Sequence, residues 1–145
     1  MSTPLQAAEA MVAAVINRDL DEVLDSFSSR DDAYVYVEGP RWTTRGGKNV
    51  AAGWRAYFES SIRINNFHWV EGPFTFETPE LAQVMGVIDY DISGEGENGR
   101  LRLRMTWLLR LENGRWRIIH EHGSQPLADP YGAGDWWPAG AKPFS

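Results

Sequence analysis

Two imidazoles set two residues apart are the first chemistry this chain offers. His120 and His122 lie in the run WRIIHEHGSQP, Trp116 to Pro126, which reads as a β-strand. Alternation along a strand sends both side chains to the same side. Imidazole titrates near neutral pH, so such a pair can move a proton, hold a ligand by hydrogen bonds, or donate to a metal. Three roles are therefore open: a buried hydrogen-bonded pair, a pocket acid or base, and a metal site. His-x-His can ligate one ion, but a third ligand is needed and only His68 and distant carboxylates remain. No metal or cofactor is expected.

The facing of the pair follows from the turn before it. Asn113-Gly114 is a strong two-residue hairpin signal. Counting outward sets Glu112 opposite Arg115, Leu111 opposite Trp116, Leu109 opposite Ile118, Trp107 opposite His120 and Met105 opposite His122. Directly opposed residues share a face. Both histidines are thus expected on an apolar face with Trp107, Met105 and Ser124. Arg104, Thr106, Leu108, Arg110, Arg117, Ile119 and Glu121 take the polar face. The preceding run LAQVMGVIDYDIS, closed through GEGENG with Ser93 opposite Arg100, puts Asp91 against Arg102 and Asp89 against Arg104 on that polar face. Gly86 then falls opposite Trp107, where an indole needs room.

The elements that must position this hairpin are legible upstream. Thr3-Pro4-Leu5-Gln6 offers an N-cap, a proline at the first helical position and a capping-box partner. Leu5, Ala8, Val12, Val15 and Ile16 then recur at helical spacing. Asp19 with Glu22 is a second capping box, ahead of a short helix striped by Leu20, Val23, Leu24 and Phe27. RDDAYVYVEGP reads as a strand stopped at Gly39-Pro40. RGGKNVAAGWRAYFESS reads as a third helix, with Val50, Trp54, Tyr57 and Phe58 on one side. INNFHWVEG and PFTFETPE follow as strands broken by Gly72-Pro73.

The bulk numbers bound the classes. The chain has 145 residues and a formal charge of −6. That length suits one domain, and the charge leaves no basic excess for a phosphate backbone, so no nucleic-acid partner is expected. There is no cysteine, which excludes disulfides and thiolate metal sites. No apolar run approaches membrane-spanning length, and the N-terminus lacks a signal-like core. A cytoplasmic protein without a membrane partner is the expectation. Seven tryptophans suit either an aromatic core or the lining of a small-molecule pocket.

This order of helices, strand, helix and antiparallel strands resembles the SnoaL-like, nuclear transport factor 2-like superfamily. INRDLDEVLDSFSSRDDAYV resembles its entry and TRGGKNVAAGWRAYF its glycine-led helix. TWLLRLENGRWRIIHEHGSQP resembles the terminal hairpin of its third SnoaL-like group, and also that of the association domain of calcium/calmodulin-dependent kinase II. The resemblance implies an α+β fold over residues 1–126, a cone-shaped barrel whose curved antiparallel sheet wraps the N-terminal helices and leaves a pocket. Residues 127–145 then form an aromatic, Pro/Gly-rich tail in which Trp136 and Trp137 are conceivable lid residues. Ketosteroid isomerases of this superfamily use an inward aspartate base with a tyrosine and a protonated aspartate, and no such dyad is found here.

Within that cone the expected catalytic residues are His120 and His122. Tyr34, Tyr36, Trp42, Trp54, Tyr57, His68 and Trp107 are the expected ligand-binding residues. Tyr34 and Tyr36 share a face that AYVYV does not orient, and Glu38 shares it too. The expected function is a small-molecule pocket protein, an acid–base enzyme of isomerase, cyclase or hydrolase type acting on an apolar or aromatic metabolite. The alternative is a non-catalytic oligomerisation or ligand-sensing domain. A homodimer through the outer sheet face is expected either way.

Overall fold

The computed structural model describes residues 2–37, 39–96 and 98–134. Glu38, Trp136 and Trp137 lie outside the described residues. Three helices, α1 (Pro4–Ile16), α2 (Leu20–Ser26) and α3 (Gly47–Glu59), accompany six strands. The strands are β1 (Tyr34–Tyr36), β2 (Thr44–Arg45), β3 (Arg63–Glu77), β4 (Leu81–Ser93), β5 (Gly99–Glu112) and β6 (Arg115–Ser124). They form one curved, open α+β sheet in the order β2-β1-β6-β5-β4-β3, the cone shape expected from the resemblance. β1 runs parallel to β6, and all other neighbours are antiparallel.

The helix starts follow the sequence logic. The Thr3 side chain accepts from the Gln6 N–H at 3.1 Å, and the Gln6 side chain accepts from the Thr3 N–H at 2.9 Å. This reciprocal pair satisfies two donors that a helix leaves orphaned. At α2 only half of the expected box forms. Asp19 accepts from the Glu22 N–H, but the Glu22 carboxylate is drawn instead to Arg115 at 2.7 Å. Helix α1 lays Ala8, Met11, Val12 and Val15 against the inner sheet face, where Val84, Ile88, Leu103, Met105, Trp107, Leu109 and Ile118 are buried. Each large side chain fully buried in that cluster contributes roughly 1.5–3 kcal/mol.

The sheet departs from the expected register in three places. First, β4 and β5 are slipped by two residues: Asp91 pairs with Arg100, Asp89 with Arg102 and Gly86 with Met105. Gly94, Glu95 and Gly96 all adopt positive φ, and the last pair across the turn is Ile92 with Gly99. A slip of two keeps every side chain on its expected face. Second, Gly72-Pro73 does not end a strand. β3 runs on through it, with a register shift between the Glu71–Val87 and Phe74–Met85 pairs. Third, β6 carries a bulge between Ile118 and His120. Leu109 pairs with Ile118 as expected, but His120 then pairs with Leu108, Glu121 with Trp107 and His122 with Thr106.

That bulge has a visible cause. On its other edge, Ile118 bridges to Phe27, and its carbonyl accepts from the Ser28 N–H at 2.9 Å. From His120 onward the same edge pairs with β1, starting at Tyr34. The strand changes partner at Ile119, and the extra residue absorbs the mismatch. A bulge inverts the faces of everything beyond it. The histidines therefore point outward, and Glu121, expected outside, points in.

Gly86 has a different role from the one its expected partner suggested. A Cβ there would lie 2.3 Å from the Glu71 carbonyl oxygen and 2.8 Å from the Trp69 ring. The space it leaves admits the irregular backbone of β3 rather than Trp107. Gly86→Ala is expected to lower the unfolding free energy in urea by about 3 kcal/mol, since a backbone oxygen cannot yield as a side chain does. A loss below about 1 kcal/mol would show that β3 shifts freely at this point.

Candidate functional site

The structure gathers four of the expected site residues into one cluster. β1 and β6 pair in parallel with Tyr34 beside His120 and Tyr36 beside His122. Val35 is buried, so both tyrosines project outward with the histidines. The Tyr36 ring stands edge-on to both imidazoles, its centroid 5.0 Å from that of His120 and 5.1 Å from that of His122. The two imidazole centroids are 6.5 Å apart.

The other expected residues lie elsewhere. Trp42 is 93% exposed on the loop between β1 and β2. Trp54 packs on Phe27 and Tyr57 at the α3 side of the core. The Tyr57 hydroxyl accepts from the Ile64 N–H at 2.8 Å, tying α3 to β3. His68 sits on the outer face of β3, its Nε2 3.5 Å from Asp89. Trp107 is fully buried, its ring in a T-shaped contact with Trp69. The expectation that Trp107 and the histidines share a face is thus corrected by the bulge.

Beside the cluster an open cleft of about 520 Å³ runs along the rim where β1, β5 and β6 end. Tyr36, His122, Ser124 and Gln125 supply its polar lining and Val37 and Leu101 its apolar lining, with Gly39 and Gly123 completing it. The sequence did not single out Gln125, or Arg104, whose Nη2 donates to the Ser124 hydroxyl at 3.1 Å and to the Gln125 carbonyl at 3.0 Å. Both were hidden because the expected register carried Ser124 and Arg104 to opposite faces.

The protonation states suit proton transfer. His120 Nδ1 bonds the Tyr34 carbonyl. A carbonyl only accepts, so in the neutral ring Nδ1 carries the proton and Nε2 keeps its lone pair. The His122 side chain is exposed, but partial desolvation of its ring, with the nearby charges of His120 and Arg104, holds its pKa below the ordinary histidine value. His122 is therefore an available base at neutral pH. The adjoining Tyr34 hydroxyl raises the pKa of Tyr36, which stays a donor. A neutral base and a phenolic donor on one cleft form a complementary acid–base pair.

The inside of the cone holds carboxylates that strand counting puts outside or leaves unplaced. Trp107 Nε1 donates to Glu121 at 2.7 Å, and Trp69 Nε1 to Glu9 at 3.1 Å. On the outer face, Asp89 is buried under a bidentate Arg102 with Arg100 and His68 close by, and its pKa lies below the usual carboxylate value, chiefly through Arg102. No group of three or more His, Cys, Asp or Glu side chains is placed to hold a metal ion among the described residues. No described helix is long and apolar enough to cross a membrane.

Comparison with known proteins bears on the fold. The family model for a SnoaL-like domain matches residues 5–128. Among solved structures, one provisionally described as a dehydratase of the nuclear transport factor 2-like family, from Streptomyces avermitilis, superposes with a TM-score of 0.71 at 18% identity, covering 85% of this chain and 93% of that one. A provisionally described calcium/calmodulin-dependent protein kinase type II association domain from Thiobacillus denitrificans gives 0.69 at 23% identity, covering 88% and 98%. A ketosteroid isomerase-like protein from Erwinia carotovora atroseptica gives 0.63 at 17%, covering 83% and 93%. Identities this low speak for shape and not for activity. No curated protein matches the sequence.

The shift of His122 has a consequence for stability. Its ring is expected to titrate below about 6.5 in histidine-resolved NMR. The folded chain then binds that proton less readily than the unfolded chain, so stability falls as the pH drops from about 6.5 toward the folded midpoint. His122→Gln should flatten that part of the pH–stability curve. An unchanged slope, or a midpoint at or above the ordinary value, would contradict the desolvation account.

Proposed function

The chain belongs to the SnoaL-like domain family, and from that premise we propose that it is a cytoplasmic small-molecule pocket protein that performs acid–base chemistry in the rim cleft. The observation that carries this reading is the convergence of a neutral His122 and a donor Tyr36 on one cleft. His122 accepts a proton from the ligand and Tyr36 donates one. His120, its Nδ1–H fixed on the Tyr34 carbonyl, sets the electrostatic environment of His122. Val37 and Leu101 supply the apolar contact. A carbonyl-bearing or aromatic metabolite meets those requirements, and removal of a proton beside a carbonyl is the elementary step common to isomerase and cyclase chemistry.

Exchange with solvent tests this whatever the product is. Carbonyl-bearing and aromatic metabolites that raise the melting temperature would be incubated with the protein in D2O. Deuterium is expected to enter the bound compound at its acidic carbon. His122→Gln should slow that exchange at least about 100-fold while leaving affinity largely intact. Equal exchange in the variant would remove His122 from the mechanism.

A second reading, a non-catalytic association domain, has its own support. Phe74, Phe76 and Leu81 are 51%, 66% and 43% exposed on the outer sheet face. Two copies packed face to face across a two-fold axis would bury them together with Leu108 and Met85. Light scattering at micromolar concentration is expected to give a homodimer, and Phe76→Asp a monomer. A wild-type monomer would rule out association through this face.

A further inference from the structure

Resting on the cleft reading above, we infer that the ligand carries a carboxylate, received by Arg104 at the edge of the cleft beside His122 and Ser124. Charge pairing along β5 and β6 sets this arginine apart. Arg100 and Arg102 both approach Asp89. Arg110 pairs with Asp32 and Glu112, Arg115 with Glu22 and Asp25, and Arg117 with Asp25. Arg104 is the exception among the arginines of these two strands. Its hydrogen-bond partners, the Ser124 hydroxyl and the Gln125 carbonyl, are neutral, and both bonds use Nη2. Its Nε and Nη1 meet no carboxylate among the described residues.

The exception falls beside the cleft. Ser124 and Gln125, which fix the Arg104 guanidinium, are also cleft-lining residues. The described charges that act on His122 are those of His120 and Arg104, and the Tyr36 ring that touches it is neutral, so among the described residues the charge around His122 is positive at neutral pH or below. In a chain of net charge −6, a cationic spot with no acid paired to it among the described residues is a local arrangement and not a reflection of composition. Desolvation of the ring first, and then the positive charge of His120 and Arg104, make His122 resist protonation, and a bound anion would offset the second of these. One full charge, one neutral imidazole and one hydroxyl suit a monoanion better than a phosphate, which recruits several cations or a nest of backbone N–H groups. A carboxylate on Arg104 would leave the carbons next to it facing His122 and Tyr36.

The test uses benzoate and its uncharged analogue benzamide, with binding followed through the His122 ring signals in histidine-labelled protein. Benzoate is expected to bind, to raise the midpoint of His122, and to bind at least about tenfold more weakly to Arg104→Gln, the effect of losing one charge-assisted pair. Arg104→Lys, which keeps the charge but loses the planar fork, should fall between the two, and it serves if the Gln variant does not fold. Benzamide binding as tightly as benzoate would overturn the carboxylate assignment and leave the cleft reading standing. Inorganic phosphate displacing benzoate at lower concentration would replace the carboxylate by a phosphate. If neither aromatic compound moves the His122 signals at millimolar concentration, both the carboxylate and the cleft reading fail.

Discussion

The hydrogen bond from the Trp107 indole to the Glu121 carboxylate, 2.7 Å long and closed off from solvent, is the constraint that orients the part of the sheet that carries the histidines. A carboxylate enters a protein interior only with a donor waiting for it. Trp107 is the donor, and its own position is fixed by the core around it. Because Glu121 points in, its neighbours His120 and His122 must point out. The bulge at Ile119 is the backbone form of the same fact. Without the extra residue, two imidazoles would occupy the apolar interior and an acid would stand on the outer face.

A second set of polar contacts holds the scaffold on which the tyrosines ride. Glu112 is buried at the end of β5 and accepts from the Ser28 hydroxyl and from Arg110, which also reaches Asp32. Ser28 and Asp32 belong to the segment between α2 and β1. The Arg110 guanidinium, whose pKa is raised by these two acids, therefore joins the far end of the hairpin to the approach of β1. Arg115 and Arg117 do the same for α2 through Asp25. The arginines that the sequence suggested for an outer surface work largely as cross-links between the sheet and the segment that leads into the site.

How much of this was legible depended on whether one strand's pattern sufficed. The capping box at Thr3, the helix stripes, the Asn113-Gly114 turn with both φ angles positive and the inner face of β4 and β5 all follow from local periodicity. The pairing of His120 with His122 on one side of the strand also holds, since a bulge before them moves both together. Their facing could not be read. It depends on β6 exchanging one neighbour for another, which is a property of the assembled sheet. The one trace in the sequence is the doublet Ile118-Ile119, where alternation fails. The same extra residue concealed the inward turn of Glu121 and the meeting of Ser124 with Arg104, because Glu121 and Ser124 were assigned by counting through it. Trp42 stands out by residue type alone, and the loop that bears it leaves it in solvent.

The two walls of the cleft differ in how firmly they are built. His122 and Ser124 sit on a ten-residue strand within the sheet. Tyr36 sits on a strand of three residues, flanked at the sheet's edge by one of two. Few ladder hydrogen bonds oppose its release, and local opening draws on regions of that kind while the core remains closed. Opening of this edge would separate the phenol from the imidazoles while leaving the core intact. On the proposed reading, a ligand would be positioned by the long strand and admitted past the short one, a division of labour set by strand length.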